Sequence, residues 1–216
     1  MKEIFYDLGG YNAVIFYSLN HFCNTGFVPY ALNILSNFFM IWCFAVYYIL
    51  FCIYQIYRLN KLSPSIRDIE YEKVFYTLVQ VGTCYAFFGF AYAMLKFSIN
   101  LPRPYCSLPE GSFVTIMNME GVRCLSSFPS AHVGLAFMMA IFLWPHIGKL
   151  YRCLAVITVV LVALARITLA MHYPADIMYS LVITVLAVAM SQLIFSIFSD
   201  NIIKYLCQKI KGYVLK

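Results

Sequence analysis

Long apolar runs separated by short polar segments dominate the pattern of hydrophobic positions along the chain. Most of these runs approach the ~20 residues that a helix needs to cross the hydrocarbon core of a bilayer. The third run is short, and only Pro145, Gly148 and Lys149 separate it from the fourth. The pattern predicts five spanning helices, near residues 35–57, 74–95, 130–147, 151–171 and 177–198.

The segment before the first span, residues 11–27, has a different pattern. It mixes aromatic side chains such as Phe16 and Phe22 with asparagines such as Asn12 and Asn20. This mixture predicts an amphipathic helix that lies in the membrane interface rather than crossing the bilayer.

The composition supports an integral membrane protein. Hydrophobic residues make up 63% of the 216 positions and charged residues only 11%, whereas an average soluble domain has about 25% charged residues. We therefore predict an all-α polytopic membrane helix bundle that forms a single membrane-embedded domain over residues 1–216, with the lipid bilayer as its partner. The cations lie near the ends of the spans, where they contact lipid head groups, and we expect no nucleic-acid partner.

The distribution of Lys and Arg predicts the orientation of the helices. Segments rich in these cations remain in the cytosol. With five spans, the opposite face then receives the outer loop 96–129, the link around His172 and the N-terminus, while the C-terminus is cytosolic. The cytosolic cations are Arg58, Lys61, Arg67 and Lys73 after the first span, Lys149 and Arg152 after the third, and Lys204, Lys209, Lys211 and Lys216 in the tail.

Three short motifs fall on the outer face. Together they contain three cations, a hydroxyl at a helix start and two imidazoles, one of them four residues before a carboxylate. Such groups hold a phosphoryl group and transfer it through a covalent intermediate. The motifs are Lys96 with Arg103-Pro104 after six intervening residues, then Pro129-Ser130-Ala131-His132, then Arg166 with His172 and Asp176.

The chemistry of the two imidazoles suggests their roles. A neutral nitrogen of His172 is the candidate nucleophile towards phosphorus, and Asp176 accepts the other ring N–H and fixes the tautomer. Pro174 suits the first turn of a helix, which places Asp176 near the helix N-terminus. His132 is the candidate acid for the leaving group and the candidate base for water.

The remaining residues of the motifs are candidate phosphate ligands. Lys96, Arg103 and Arg166 neutralise phosphate oxygens, while Ser130 and the backbone N–H of residues such as Ala131 add donors at the positive end of a helix dipole. The sequence has no cluster of Asp, Glu or Cys at ligand spacing. We therefore predict activity with no metal and no other cofactor.

Each part also has a structural interpretation. Lys96 suits a cation that extends from a helix end into the interface, Arg103-Pro104 suits a loop turn, and Ser130 suits a helix start. Arg166 within an apolar run needs an anionic partner, which Asp176 could supply for purely structural reasons.

The three motifs, read as KFSINLPRP, PSAH and ARITLAMHYPAD, resemble those of the type 2 phosphatidic acid phosphatase family of membrane lipid phosphate phosphatases. The resemblance covers residues 96–176 and the surrounding pattern of helices, and it implies the same roles for His172, His132 and Asp176. Ala131 replaces the usual glycine and Ala165 the usual serine. Neither change removes a reacting atom, so we expect effects on rate or substrate fit.

Two of the eight cysteines differ from the rest. Cys106 and Cys124 share the outer loop, whereas most others lie within spans, and no CxxC spacing occurs. An oxidising outer compartment would permit a disulfide between them, closing a loop beside the site.

The motifs leave the lipid substrate and the acceptor open. Candidate substrates are phosphatidic acid, phosphatidylglycerol phosphate, undecaprenyl diphosphate and lipid A phosphates. A lipid phosphotransferase that uses the same intermediate, or a non-catalytic membrane protein with a decayed site, remains an alternative. We expect a bacterial inner-membrane enzyme with its site facing the periplasm, although an endoplasmic reticulum relative would face the lumen by the same charge rule. The sequence does not specify the oligomeric state.

Overall fold

A computed structural model describes residues 6–118 and 121–215, which form helices joined mostly by short turns. Within these residues, the only paired extended backbone is an isolated antiparallel bridge between Pro102 and Leu125. The predicted all-α fold is therefore confirmed. The main helices are α1 Tyr11–Cys23, α2 Val28–Asn37, α3 Ile41–Asn60, α4 Pro64–Ser98, α5 Ala131–Leu143, α6 Lys149–Thr168, α7 Pro174–Phe198 and α8 Lys204–Val214.

Four helical stretches in the described residues are long and apolar enough to cross a membrane: α3, α4, α6 and the continuous stretch Pro174–Val214. The predicted span 130–147 differs, because α5 has 13 residues and is therefore only about 20 Å long. A 3₁₀ turn, Trp144–His146, follows it. Pro145 and Gly148 end the apolar run early, so the third predicted span is a shorter apolar helix.

The boundary predicted at residue 35 is wrong. The first three residues of the predicted span 35–57 belong to α2, and the helix breaks before α3 begins at Ile41. Ser36 is buried, and its Oγ donates to the Asn33 carbonyl oxygen at 3.0 Å. The apolar residues between the two helices hide this break from a hydropathy average.

Helix α4 extends beyond the predicted span 74–95 at both ends. Its first turns carry charged residues that form ion pairs, so they continue the helix outside the apolar segment. The Glu70 carboxylate lies 2.9 Å from Arg58 Nη2 and 3.3 Å from Lys73 Nζ. The Asp68 carboxylate lies 3.0 Å from Lys211 Nζ. Helix α6 begins at Lys149, two residues before the predicted span 151–171, and it ends at Thr168. Helix α7 begins at Pro174, three residues before the predicted span 177–198.

Helix α1 forms as predicted but ends at Cys23 rather than at residue 27. Its asparagines do not face the head groups. Asn12 and Asn20 are buried with Phe16, whereas Tyr11 and Phe22 on other faces are 66% and 79% exposed. The two asparagine side chains therefore face the protein, and the exposed surface is largely apolar.

The chain divides into two compact units: Met1–Ile41 with Ala91–Val185, and Trp42–Phe90 with Leu186–Lys216. Every candidate site residue belongs to the first unit. Its core is a cluster of apolar side chains from α1, α5, α6, α7 and the link between α6 and α7, built from Phe16, Val133, Ala136, Val162, Ile167, Ala170 and Ile177. The organisation as a single domain stays a prediction.

Candidate functional site

The predicted site residues lie at the ends of helices, within one compact unit. Lys96 is in the last turn of α4 and Arg166 in the last turn of α6. His132 is the second residue of α5, and Asp176 is in the first turn of α7. His132 lies close enough to interact electrostatically with the four other basic residues of the motifs, Arg166, His172, Lys96 and Arg103. The structure therefore brings the three motifs together.

The carboxylate of Asp176 is fully buried and accepts hydrogen bonds on both oxygens. The Tyr6 hydroxyl donates to Oδ1 at 2.7 Å. On Oδ2, the Ser127 hydroxyl donates at 2.5 Å and the Tyr173 backbone N–H at 2.8 Å. His172 Nδ1 lies 3.5 Å from the same oxygen. The carboxylate is thus fixed by donors from three separate segments, and one of its oxygens faces the imidazole.

His172 is held in the link between α6 and α7. Its backbone N–H donates to the Arg166 carbonyl oxygen at 3.2 Å, and the residue is only 2% exposed. Burial lowers the pKa of His172 to about 3, although the Asp176 carboxylate acts in the opposite direction. The imidazole is therefore neutral near pH 7. If Nδ1 carries the proton towards Asp176, Nε2 has a free lone pair, as a nucleophile requires.

Arg166 is a buried cation that forms no ion pair with a carboxylate of the described residues. It is 6% exposed, and Nε has no hydrogen-bond acceptor in the described part of the chain. Asp176 forms no ion pair with it; among the described residues, the only positively chargeable group within 4 Å of that carboxylate belongs to His172. The structural interpretation of Arg166 as the ion-pair partner of Asp176 is therefore not supported by the geometry.

The other two cations are held by neutral acceptors. Lys96 Nζ donates to the Ser126 carbonyl oxygen at 2.9 Å, and Arg103 Nη1 donates to Met171 Sδ at 3.0 Å. Burial lowers the pKa of Arg103, but a guanidinium remains charged near pH 7. Neither side chain forms an ion pair with a carboxylate among the described residues. Their positive charges are available to an anionic ligand.

Ser130 precedes α5 but does not cap it through its side chain. Its Oγ is buried and has no hydrogen-bond partner among the described residues. Its carbonyl oxygen accepts from the Ser180 hydroxyl at 2.5 Å, and the Tyr92 hydroxyl lies 2.7 Å from that same Ser180 oxygen. This hydroxyl pair connects Ser130 to α4 and α7. The Ser130 hydroxyl itself is left for a ligand at the positive end of α5.

A disulfide and short backbone contacts fix the outer loop beside Arg103. Cys106 and Cys124 are joined, with Cα atoms 5.7 Å apart. The Arg103 backbone N–H donates to the Cys124 carbonyl oxygen at 2.9 Å, and Ser127 N–H donates to the Leu101 carbonyl oxygen at 3.0 Å. The start and the end of the loop are therefore held together next to a predicted phosphate ligand.

The asparagines of α1 form contacts that the sequence analysis missed. Asn20 donates to the Ile167 and Thr168 carbonyl oxygens, each at 3.1 Å, and it exchanges two hydrogen bonds with the backbone of Val114. Asn12 Oδ1 accepts from the Ala175 N–H at 3.0 Å. Their spacing of eight residues places both on one helix face, and this was the available signal.

The two departures from the family motif have different surroundings. Ala165 is fully buried in an apolar cluster with Cys23 and Leu32, where a methyl group is well accommodated. Ala131 is the first residue of α5 and is partly buried.

Among the described residues, no group of three His, Cys, Asp or Glu side chains could hold a metal ion. Metal independence stays a prediction.

The family model of the PAP2 superfamily matches residues 77–206, which is more than half of the chain. The chain belongs to the PAP2 superfamily. This confirms the predicted resemblance and supports a membrane lipid phosphatase in the general sense. The match includes every predicted site residue, from Lys96 to Asp176, whereas helix α1 and Tyr6 lie outside it.

The fold is also similar to that of a solved structure. The crystal structure of Aquifex aeolicus LpxE superposes with a TM-score of 0.63 at 17% sequence identity, covering 84% of this chain and 94% of that one. At this identity the likeness establishes the fold alone. A search of curated protein sequences gave no significant match.

Proposed function

We propose that this PAP2 protein is a metal-independent phosphatase that removes a phosphoryl group from a membrane lipid through a phosphohistidine on His172. One observation carries the proposal. A buried, neutral imidazole lies beside a buried carboxylate, and the cations Lys96, Arg103 and Arg166 of the same unit have no partner carboxylate among the described residues. A purely structural cluster would be expected to pair those charges, because unpaired buried charges are costly.

The charges of the site match a phosphate monoester. Lys96, Arg103 and Arg166 contribute three positive charges and Asp176 one negative charge, which leaves a net charge of two positive with His172 neutral, apart from the proton that His132 carries when it acts as the acid. A phosphate monoester has a charge of about −1.5 to −2 near pH 7. A bound monoester would therefore neutralise most of the charge of the cluster, and the guanidinium groups can form paired hydrogen bonds to its oxygens.

In the first step, His172 Nε2 attacks phosphorus and the bond from phosphorus to the lipid oxygen breaks. The electron pair of that bond passes to the leaving oxygen, which takes a proton from His132. The Asp176 carboxylate stabilises the positive imidazole ring of the intermediate. The three cations and the N-terminus of α5 stabilise the phosphate oxygens as charge moves between them.

In the second step, water attacks the phosphohistidine. His132 takes a proton from this water, the bond between Nε2 and phosphorus breaks, and inorganic phosphate leaves. This step returns His172 to its neutral form and His132 to its protonated form. The same two steps would remove the terminal phosphate of a lipid diphosphate. The leaving group is then a lipid monophosphate.

We place the site on the outer face of the membrane, in the periplasm for a bacterial inner-membrane protein. The cation-rich segments predict this orientation, because Lys and Arg remain on the cytosolic side. The lipid phosphate then reaches the site from the outer leaflet, with its head group at the interface and its tails in hydrocarbon.

The proposal is tested by phosphate release from the detergent-purified protein in the presence of EDTA. The panel contains phosphatidic acid, phosphatidylglycerol phosphate, undecaprenyl diphosphate and lipid A. His172→Ala is the loss-of-function variant. His146→Ala is its matched control, since His146 lies in the turn after α5, which is at the opposite end of that helix from His132. EDTA-resistant release that disappears only in His172→Ala supports the proposal, whereas a folded protein that releases phosphate from none of the lipids contradicts it.

A further inference from the structure

Asp176 receives one of its hydrogen bonds from a part of the chain outside the family match. Tyr6 precedes α1, and the family match begins only at residue 77. The Tyr6 hydroxyl nevertheless donates to Asp176 Oδ1 at 2.7 Å across 170 residues of sequence. The N-terminal segment thus reaches the carboxylate that faces the candidate nucleophile.

The two oxygens of Asp176 are held unequally. Oδ2 has two short donors, Ser127 and the backbone of Tyr173, and it also faces His172 Nδ1. Oδ1 accepts from Tyr6 alone among the described donors. Removing the Tyr6 hydroxyl would leave a buried anionic oxygen without its donor, and the carboxylate would gain freedom to rotate away from the imidazole.

Aromatic contacts hold the Tyr6 ring at this position. It packs edge-on against Phe128, with ring centroids 6.3 Å apart, and against Tyr173, with centroids 6.4 Å apart. Phe128 precedes the Pro129-Ser130 motif, and Tyr173 follows His172. Burial raises the pKa of Tyr6, and the charge of Asp176 raises it further, so the phenol stays protonated and donates.

Helix α1 fixes the segment that carries Tyr6. The Asn12 side chain accepts from the Ala175 N–H in the first turn of α7, while Asn20 donates to the carbonyl oxygens of Ile167 and Thr168 at the end of α6. These contacts lie on both sides of the His172 link. The N-terminal segment is therefore bonded to the backbone that presents the nucleophile.

We propose that Tyr6 is a positioning residue, which holds Asp176 in the orientation that directs His172 towards phosphorus. This inference rests on the proposed function. It extends the active site to a segment that the family match does not cover. Tyr6 itself contacts no reacting atom, so its effect should fall on the chemical step rather than on the binding of the phosphate group.

The test compares Tyr6→Phe with the wild-type protein in the phosphate-release assay. The variant keeps the ring and its contacts with Phe128 and Tyr173 and removes only the donor. Loss of a hydrogen bond to a charged group predicts a fall in kcat of about 10- to 100-fold, with KM within about twofold. Tyr11→Phe is the matched control, because Tyr11 belongs to the same segment and is 66% exposed. It should behave as the wild type.

Two further readouts separate positioning from a general loosening of the fold. Orthovanadate, which imitates the phosphoryl group, should bind to Tyr6→Phe with unchanged affinity, because the three cations remain in place. In an Asp176→Asn background, Tyr6→Phe should lower kcat by less than about twofold, since the negative charge that Tyr6 orients is absent there.

A Tyr6→Phe protein with wild-type kcat would overturn the inference, as would equal losses in both backgrounds or a parallel loss of vanadate binding. These results require an active wild-type protein. If the wild type releases no phosphate from any lipid, the proposed function fails first.

Discussion

Replacing Asp176 by Asn tests the pairing with His172, because it removes the charge and keeps the shape. The surrounding donors determine how the new amide lies. The Tyr173 backbone N–H, 2.8 Å from Oδ2, cannot turn, so the amide oxygen takes the Oδ2 position. The NH₂ group then faces Tyr6, whose hydroxyl can rotate to accept from it. We therefore expect the variant to fold normally.

The magnitude follows from the separation of the two groups. His172 Nδ1 lies 3.5 Å from Asp176 Oδ2, and the imidazole becomes positive when Nε2 is phosphorylated. At an effective dielectric constant of about 20, two unit charges at this distance interact by about 5 kcal/mol. If the transition state develops most of this charge, kcat falls by roughly 10³-fold. KM should change little, since the cations that bind phosphate are intact.

The assay is single-turnover phosphate release from a lipid phosphate in detergent, together with thermal unfolding. Asp68→Asn is the control with the same chemical change, because Asp68 forms a partly exposed ion pair with Lys211 in the other compact unit. It should keep activity close to that of the wild type. A kcat for Asp176→Asn within about fivefold of the wild type, in a folded protein, would refute this reasoning about the charge.

Three further predictions concern the roles of His172 and Arg166, the pH dependence of stability, and the disulfide. His172→Ala should lose turnover yet bind orthovanadate, whereas Arg166→Ala should lose both, as equilibrium binding would show; equal residual turnover in both variants would count against these roles. Burial lowers the pKa of His172 to about 3. Below about pH 6.5 the unfolded chain therefore takes up a proton that the folded protein does not, and stability should fall as pH falls towards about 3. His172→Gln should unfold with a weaker pH dependence in that window, and an unchanged dependence would contradict the burial argument. In the unreduced native protein, Cys106 and Cys124 should resist alkylation while the exposed Cys153 reacts; full labelling of both would show that the bridge does not form.

The sequence was sufficient to predict that the candidate site residues lie at the ends of helices. The predicted number of spans would place Lys96, His132 and Asp176 on one face, and the structure brings these residues into one compact unit. Helix ends are predictable in this way because apolar length and cationic loops are local properties of the chain. The motifs could be recognised from the spacing of their residues along the chain, without knowledge of side-chain packing.

The fine structure of the helices was less predictable. The break between α2 and α3 lies within an apolar run, and α5 is too short for a full span despite its hydrophobicity. Hydropathy averages respond to composition and not to the hydrogen bonds of single residues such as Ser36. These boundaries depend on packing between helices that are distant in sequence.

The donors to Asp176 could not be derived from the sequence. Tyr6 and Ser127 lie 170 and 49 residues away from it, and nothing in their local sequence distinguishes them from other tyrosines and serines. The inward direction of Asn12 and Asn20 was likewise hidden, because the same helical pattern suits a polar face in the membrane interface. Only the tertiary structure shows which side of α1 is covered.

Trapping of the covalent intermediate tests the central proposal most directly. The purified protein would react briefly with a lipid carrying a radiolabelled phosphate, followed by denaturation at alkaline pH, digestion and mass spectrometry of the labelled peptide. The account predicts an acid-labile phosphate on His172 that is absent from His172→Ala and accumulates if His132→Ala slows hydrolysis of the intermediate. Phosphate release by an active wild-type protein with no label on His172, or with the label on another residue, would contradict it.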